Sequence, residues 1–206
     1  MKKYLAVAGL ASALTLSSCG MFSTKGSGKK MEQNSSALAA TWDLGCSKFD
    51  FMGFLGNKDA LVFSAIGDFE RTNILYDDAK CTTEFGRFDT KGTYAALGNS
   101  ANTTDGTRDI NLTVSGFDFT VLTDTLANAL NAAKFCGMDN WAVNQKVNLL
   151  GVDCATGKVG TGDVVYEIYR IDQSSLFLSD QLGVVGQRAA ASRPAQLDMS
   201  RPYVKQ

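Results

Sequence analysis

Ile110, Leu112 and Val114 alternate with polar residues, and after a break at Gly116 the alternation returns in Phe117, Phe119 and Val121. A period of two presents one face to a core and the other to solvent, which suits a strand and not a helix. The pattern recurs in short runs separated by turn residues. Trp42, Leu44 and Cys46 fall on one face of an extended segment. Residues 61–66 form a β-rich run ended by Gly67-Asp68, and residues 69–76 answer it as a hairpin, with the turn where positive φ costs little. Residues 84–88 and 91–97 continue the strands. Residues 98–108 are rich in Asn, Thr and Asp and read as a hairpin loop projecting into solvent. Residues 164–171 and 175–179 make a further hairpin turned at Asp172-Gln173, and Pro202-Tyr203-Val204 can close a sheet at its edge. One helix is expected over residues 123–135. Thr123 is its N-cap, Leu126, Ala129, Leu130 and Ala133 share its apolar face, and Gly137 suits its C-cap. Many short strands with one helix predict a mainly β chain, a sandwich or barrel.

The 206 residues hold five cysteines and no histidine. Cys46, Cys81, Cys136 and Cys154 form an even set if Cys19 has another use, and an exported protein would oxidise them. Three connectivities are possible. The sequential pairs Cys46 with Cys81 and Cys136 with Cys154 are favoured because each encloses one compact unit, and loops of these lengths would each stabilise by about 3–4 kcal/mol. A zinc site is disfavoured without histidine or a C-x-x-C spacing, so no metal and no cofactor are expected. Asp105, Gly106 and Asp109 do not reproduce the ligand order of a calcium loop.

At the N-terminus, Lys2 and Lys3 precede an apolar run too short to span a bilayer, which ends at Leu16-Ser17-Ser18-Cys19-Gly20. This resembles the lipobox of bacterial lipoproteins. The resemblance implies cleavage after Ser18, acyl chains on Cys19 and a lipid anchor, and glycine after the cysteine implies forwarding to an outer membrane. The expected organisation is a signal peptide over residues 1–18, a membrane tether over 19–38 and one domain over 39–206. The tether is rich in Gly, Ser, Lys, Asn and Gln, and as a coil it would span about 20–25 Å. Removing residues 1–18 takes away Lys2 and Lys3 and no acid, so 20 basic and 21 acidic side chains become 18 and 21, a net charge of −3. No basic stripe interleaved with aromatics is present, which argues against a nucleic-acid partner.

Catalytic chemistry finds little support in the residue types. A serine or cysteine nucleophile lacks an imidazole to move its proton. Asp77 and Asp78 are adjacent on an extended chain and point to opposite faces, poor geometry for a glycosidase pair. Residues 156–162 are glycine-rich but lack the order of a phosphate-binding loop. The chain is therefore not expected to be an enzyme. Aromatic bulk is abundant instead, and Trp42, Phe63, Phe69, Tyr76, Tyr94, Phe119, Tyr166 and Ile168 are the candidates for lining a cavity.

Trp42-x-x-x-Cys46 in a first strand, Tyr76-Asp77-Asp78-x-x-Cys81 ending a hairpin and Gly92-Thr93-Tyr94 in another strand resemble lipocalin-like barrels of the calycin type. Bacterial lipoproteins with this Trp and Cys arrangement are also similar, as is, more distantly, the barrel domain of the adenomatosis-polyposis-coli down-regulated Wnt inhibitor. The lipocalin Gly-x-Trp triplet stands here as Ala40-Thr41-Trp42. The resemblance implies an antiparallel lipocalin-like β-barrel with one flanking helix, held at the cell envelope and binding a small hydrophobic ligand in its cavity. The alternative is a solid barrel that uses its loops, residues 99–108 and 158–163, to bind an envelope protein or a surface polymer.

Overall fold

The computed structural model describes residues 36–51, 54–101, 103, 105–154, 157–179 and 190–206. The lipobox and nearly all of the tether lie outside the described residues. The strands are β1 (Ala40–Phe51), β2 (Phe54–Phe63), β3 (Asp68–Tyr76), β4 (Glu84–Asn99), β5 (Arg108–Val121), β6 (Lys146–Asn148), β7 (Asp153–Cys154), β8 (Gly157–Lys158), β9 (Val164–Asp172), β10 (Ser175–Leu178) and β11 (Tyr203–Lys205). Eight of them close a ring in the order β1-β2-β3-β4-β5-β9-β10-β11, every pair antiparallel, with β11 returning to β1. This is a closed antiparallel barrel of the lipocalin-like kind with a flanking helix. The expected sheet edge at Tyr203 is instead the strand that removes the edge: Tyr203 pairs with Leu176 and Lys205 with Trp42. Closure pairs the start of β1 on its second side, at Trp42 and Asp43.

Register divides the residues between two faces. Phe63, Leu61, Asp59 and Asn57 on β2 stand opposite Phe69, Arg71, Asn73 and Leu75 on β3, which stand opposite Gly92, Thr90, Phe88 and Gly86 on β4. All of these face inward, with Trp42, Ile110, Leu112, Val114, Val165, Glu167, Tyr169, Leu176 and Tyr203. One break interrupts this order in β5, where the extra residue Ser115 lies between the pairs Gly92–Val114 and Lys91–Gly116. Such a bulge restores inward facing to Phe117, Phe119 and Val121 after Val114.

Two apolar clusters fill the two ends. The upper one gathers Leu38, Trp42, Leu61, Phe63, Phe69, Tyr94, Ile110, Leu112, Val114, Leu176 and their neighbours, and the Trp42 Nε1 donates to the Leu38 carbonyl at 2.9 Å. The lower one joins Leu75, Phe119 and Val121 to the helix α1 (Asp124–Ala133) through Leu126, Ala127 and Leu130. Thr123 caps α1 as its sequence suggests, its Oγ1 accepting the Leu126 N–H at 3.2 Å. The buried face is Leu126, Ala127 and Leu130, while Ala129 and Ala133 are exposed, a rotation from the expected stripe. The C-cap is Lys134, at φ 48°, and not Gly137. Lys134, Cys136 and Gly137 all take positive φ, so the chain turns sharply enough for Cys136 to meet Cys154.

Other boundaries shift modestly. The loop between β4 and β5 is closed at its base, where the Ser100 N–H donates to the Thr107 carbonyl at 2.9 Å and both residues are buried, while Asp105 and Gly106 are exposed as expected of a hairpin loop. The β9–β10 turn is centred on Gln173-Ser174, with Gln173 in the left-handed region. The glycine-rich stretch contributes β8, which pairs with β7 just before it.

Gly92 marks where two strands come closest. A Cβ there would overlap the Thr113 carbonyl oxygen and stand 2.9 Å from Phe69 Cε1, while a Cβ on Gly98 would meet open space. Gly92→Ala is expected to cost about 3 kcal/mol, since backbone cannot move aside as a side-chain tip can. Gly98→Ala should leave stability within about 0.5 kcal/mol, as surface changes do. Urea unfolding of the two variants checks the contrast.

Candidate functional site

Between the two apolar clusters the inner wall is polar. Asp59 on β2 is 2% exposed and takes the Arg71 guanidinium of β3 through Nε at 2.9 Å and Nη2 at 2.6 Å. From beyond β1, the Tyr203 hydroxyl of β11 donates to Asp59 Oδ2 at 2.8 Å. Burial alone would lower the Arg71 pKa, but the Asp59 carboxylate outweighs it and holds the guanidinium above its ordinary value. Burial, reinforced by Asp59, pushes the Tyr203 phenol well above its ordinary value, so it remains a hydrogen-bond donor. Glu167 on β9 also faces inward and is fully buried. Its Oε1 accepts the Ile168 N–H and its Oε2 the Ser179 hydroxyl, both at 2.8 Å. Asn57 accepts from the Ser47 hydroxyl on the same wall.

The belt left a single kind of trace in the sequence. Arg71 and Asn73 interrupt the apolar alternation of β3, and Glu167 sits within an otherwise apolar run. A charged residue at a position whose register neighbours are apolar is the trace that could have found it.

Of the eight candidate lining residues, Trp42, Phe63, Phe69, Tyr94 and Phe119 lie on the inner wall. Tyr94 donates to the Ser64 carbonyl at 2.8 Å and meets Phe63 edge-on at 4.9 Å, while Phe119 stacks on Phe88 at 4.3 Å and meets Trp141 at 5.7 Å. Tyr76, Tyr166 and Ile168 are on the outer face. Tyr76 pairs with Gly56 beside Lys58, whose ammonium is 5.4 Å from its ring. Tyr166 lies under Arg193 at 5.3 Å, and that guanidinium also pairs with Asp109 at 3.3 Å and donates to Asn111 Oδ1 at 2.6 Å. Arg193 thereby fastens the segment before β11 across the outside of β5 and β9. Those strands are covered on both sides, and their outward apolar residues serve that covering.

The upper interior is solid. Trp42, Ile110 and Leu176 are 0% exposed, so no water-sized space touches them, and Leu61 and Val114 beside them are 1% exposed. Further down, Asn73, Phe88 and Phe117 face inward and are only half-buried. On the outside, a groove of about 530 Å³ opens between the β4–β5 loop and the segment before β11. Thr103, Asp105, Thr107, Arg170, Gln196 and Met199 are among its lining residues. Arg170 pairs with Asp105 at 2.7 Å, and the Thr107 hydroxyl donates to the same carboxylate at 2.5 Å, which lowers the Asp105 pKa ahead of the arginine's contribution. Thr103 Oγ1 is shielded from solvent and has no hydrogen-bond partner.

Both disulfides follow the sequential pairing, Cys46–Cys81 and Cys136–Cys154. Asp78 spends its carboxylate on the turn that holds Cys81, accepting the Lys80, Thr82 and Thr83 N–H groups. The hydrogen bonds from Thr83 and Thr82 bring its pKa down to about 2. Among the described residues no group of three or more Cys, Asp or Glu side chains gathers in a way that could hold a metal ion. No family model matches the chain, and no curated protein matches it.

Proposed function

We propose that the chain is a lipid-anchored protein of the cell envelope whose barrel is a rigid binding module. It engages a peptide or glycan segment of an envelope partner through the outer groove beside residues 99–108. The packed upper interior carries this reading, because a ligand seated at the level of Trp42, Ile110 and Leu176 would have to displace close-packed side chains. The groove supplies what such a module needs: an arginine and a carboxylate in a fixed pair, and apolar contact from Leu197 and Met199. Its volume falls within the range of ligand pockets.

A second reading has one observation in its favour. The half-buried Asn73, Phe88 and Phe117 lie between the apolar clusters, where a small, largely hydrophobic ligand would meet the polar belt.

Two measurements separate the readings. A photo-crosslinking residue at Gln196 is expected to trap a discrete envelope partner in cells, and Arg170→Glu in the same chain to abolish the adduct. The same residue at exposed Asn128 on α1 should trap none. Equal adducts from both positions would sink the groove reading. In native mass spectrometry the purified barrel is expected to carry no lipid-sized mass; a stoichiometric one favours the interior site.

A further inference from the structure

The end of the barrel that receives the N-terminal chain also bears the most exposed large apolar side chain among the described residues. Leu38 is fully buried under the upper cluster, so the chain enters the barrel at that end. Beside it on the same rim is the turn between β2 and β3, since Ala40 pairs with Phe63 and Phe63 with Phe69. The tip of that turn is Ile66, 87% exposed. The turn is not a loose excursion. The Ser64 N–H donates to the Asp68 carbonyl at 2.9 Å, and the Gly67 carbonyl accepts the Tyr94 N–H at 2.7 Å, which presents Ile66 outward from a braced frame. Val62 and Val204 are exposed on the outer face just below the rim, flanking Thr41 and Asp43 of β1.

We infer that this rim rests on the lipid surface to which Cys19 is anchored, with Ile66 inserted among the acyl chains and α1 directed away. The inference rests on the lipid-anchor reading above. Chain length permits it: the 17 residues from Cys19 to Ser35 span at most about 60 Å at full extension, so the end they enter lies within that distance of the bilayer. Charge selects the kind of surface. Exposed Asp68 and Asp172 outnumber exposed Lys205 on this end, so the contact is apolar and does not draw on anionic lipid.

The native tryptophans make the test clean, because Trp42 and Trp141 are both buried and report little of the surroundings. The full-length acylated protein, reconstituted in phosphatidylcholine vesicles with brominated acyl chains, is compared as Ile66→Trp and as Leu55→Trp at the opposite end of β2. The added emission of Ile66→Trp is expected to be quenched by more than half and to be insensitive to salt, and that of Leu55→Trp to be unquenched. Acylated protein in which Ile66→Trp is unquenched, or in which both positions are quenched alike, overturns the orientation and leaves anchoring intact. Absence of acyl mass on the Cys19 peptide overturns both.

Discussion

Asp59→Ala is expected to lower the free energy of unfolding by about 3–5 kcal/mol, the cost of stripping a buried charge of its partner. The Arg71 guanidinium would stay in the barrel wall without the carboxylate that takes both Nε and Nη2, and the Tyr203 hydroxyl would lose its acceptor. Tyr203→Phe removes only one hydrogen bond to that carboxylate and should cost less, about 1.5–3 kcal/mol. The comparison that isolates the cause is Asp59→Leu with Arg71→Met, which removes both charges together. Replacing a buried pair by apolar side chains of similar size is often neutral or stabilising. Equilibrium urea unfolding of the three variants decides it. If Asp59→Ala unfolds at the wild-type urea concentration, the belt contributes nothing to holding β11 in place.

The second large effect concerns the bond between Cys46 and Cys81. Replacing both by serine should cost about 4 kcal/mol, because the bridge closes a loop of 35 residues and confines the unfolded chain. The bridge crosses β2 on the outside of the barrel. A Cβ on Gly56 would stand 3.1 Å from Cys81 Sγ and 2.5 Å from the Asp78 carbonyl, so the β3–β4 turn lies directly on that glycine. The same double replacement at Cys136 and Cys154, whose separation is 18, should cost about 3 kcal/mol. The difference in urea midpoints under non-reducing conditions measures both. Wild-type stability that does not change on full reduction would refute the assignment of this stabilisation to the bridges.

Strand positions were largely legible because period-two alternation is a local property of consecutive residues. The helix start at Thr123 was legible for the same reason, since its cap bond closes within three residues. Its C-terminus was not. The left-handed residue is Lys134, a lysine where residue type would favour glycine, and the turn it begins carries Cys136 to Cys154. Facing was misjudged at Tyr76, Tyr166 and Ile168 for a related cause. On β3 the inward set is Phe69, Arg71, Asn73 and Leu75, two of them polar, and the apolar Ile74 and Tyr76 face out. On β9, Glu167 faces in while Tyr166 and Ile168 are covered from outside by the segment that Arg193 fastens.

By itself, then, the sequence determined a mainly β chain, one helix beginning after Thr123, and an even set of four cysteines beyond the N-terminal one. Each of these depends on residue types and on spacings of a few residues. Only the tertiary structure decided that the ring closes through three residues near the C-terminus, that a polar belt divides the interior, and that the upper interior is solid while a groove opens outside. The Tyr203 to Asp59 hydrogen bond joins positions 144 residues apart. Contacts of that range depend on register between strands: the break at Gly116 shows in the local alternation, but which strands pair across it, and so which side chains meet, does not.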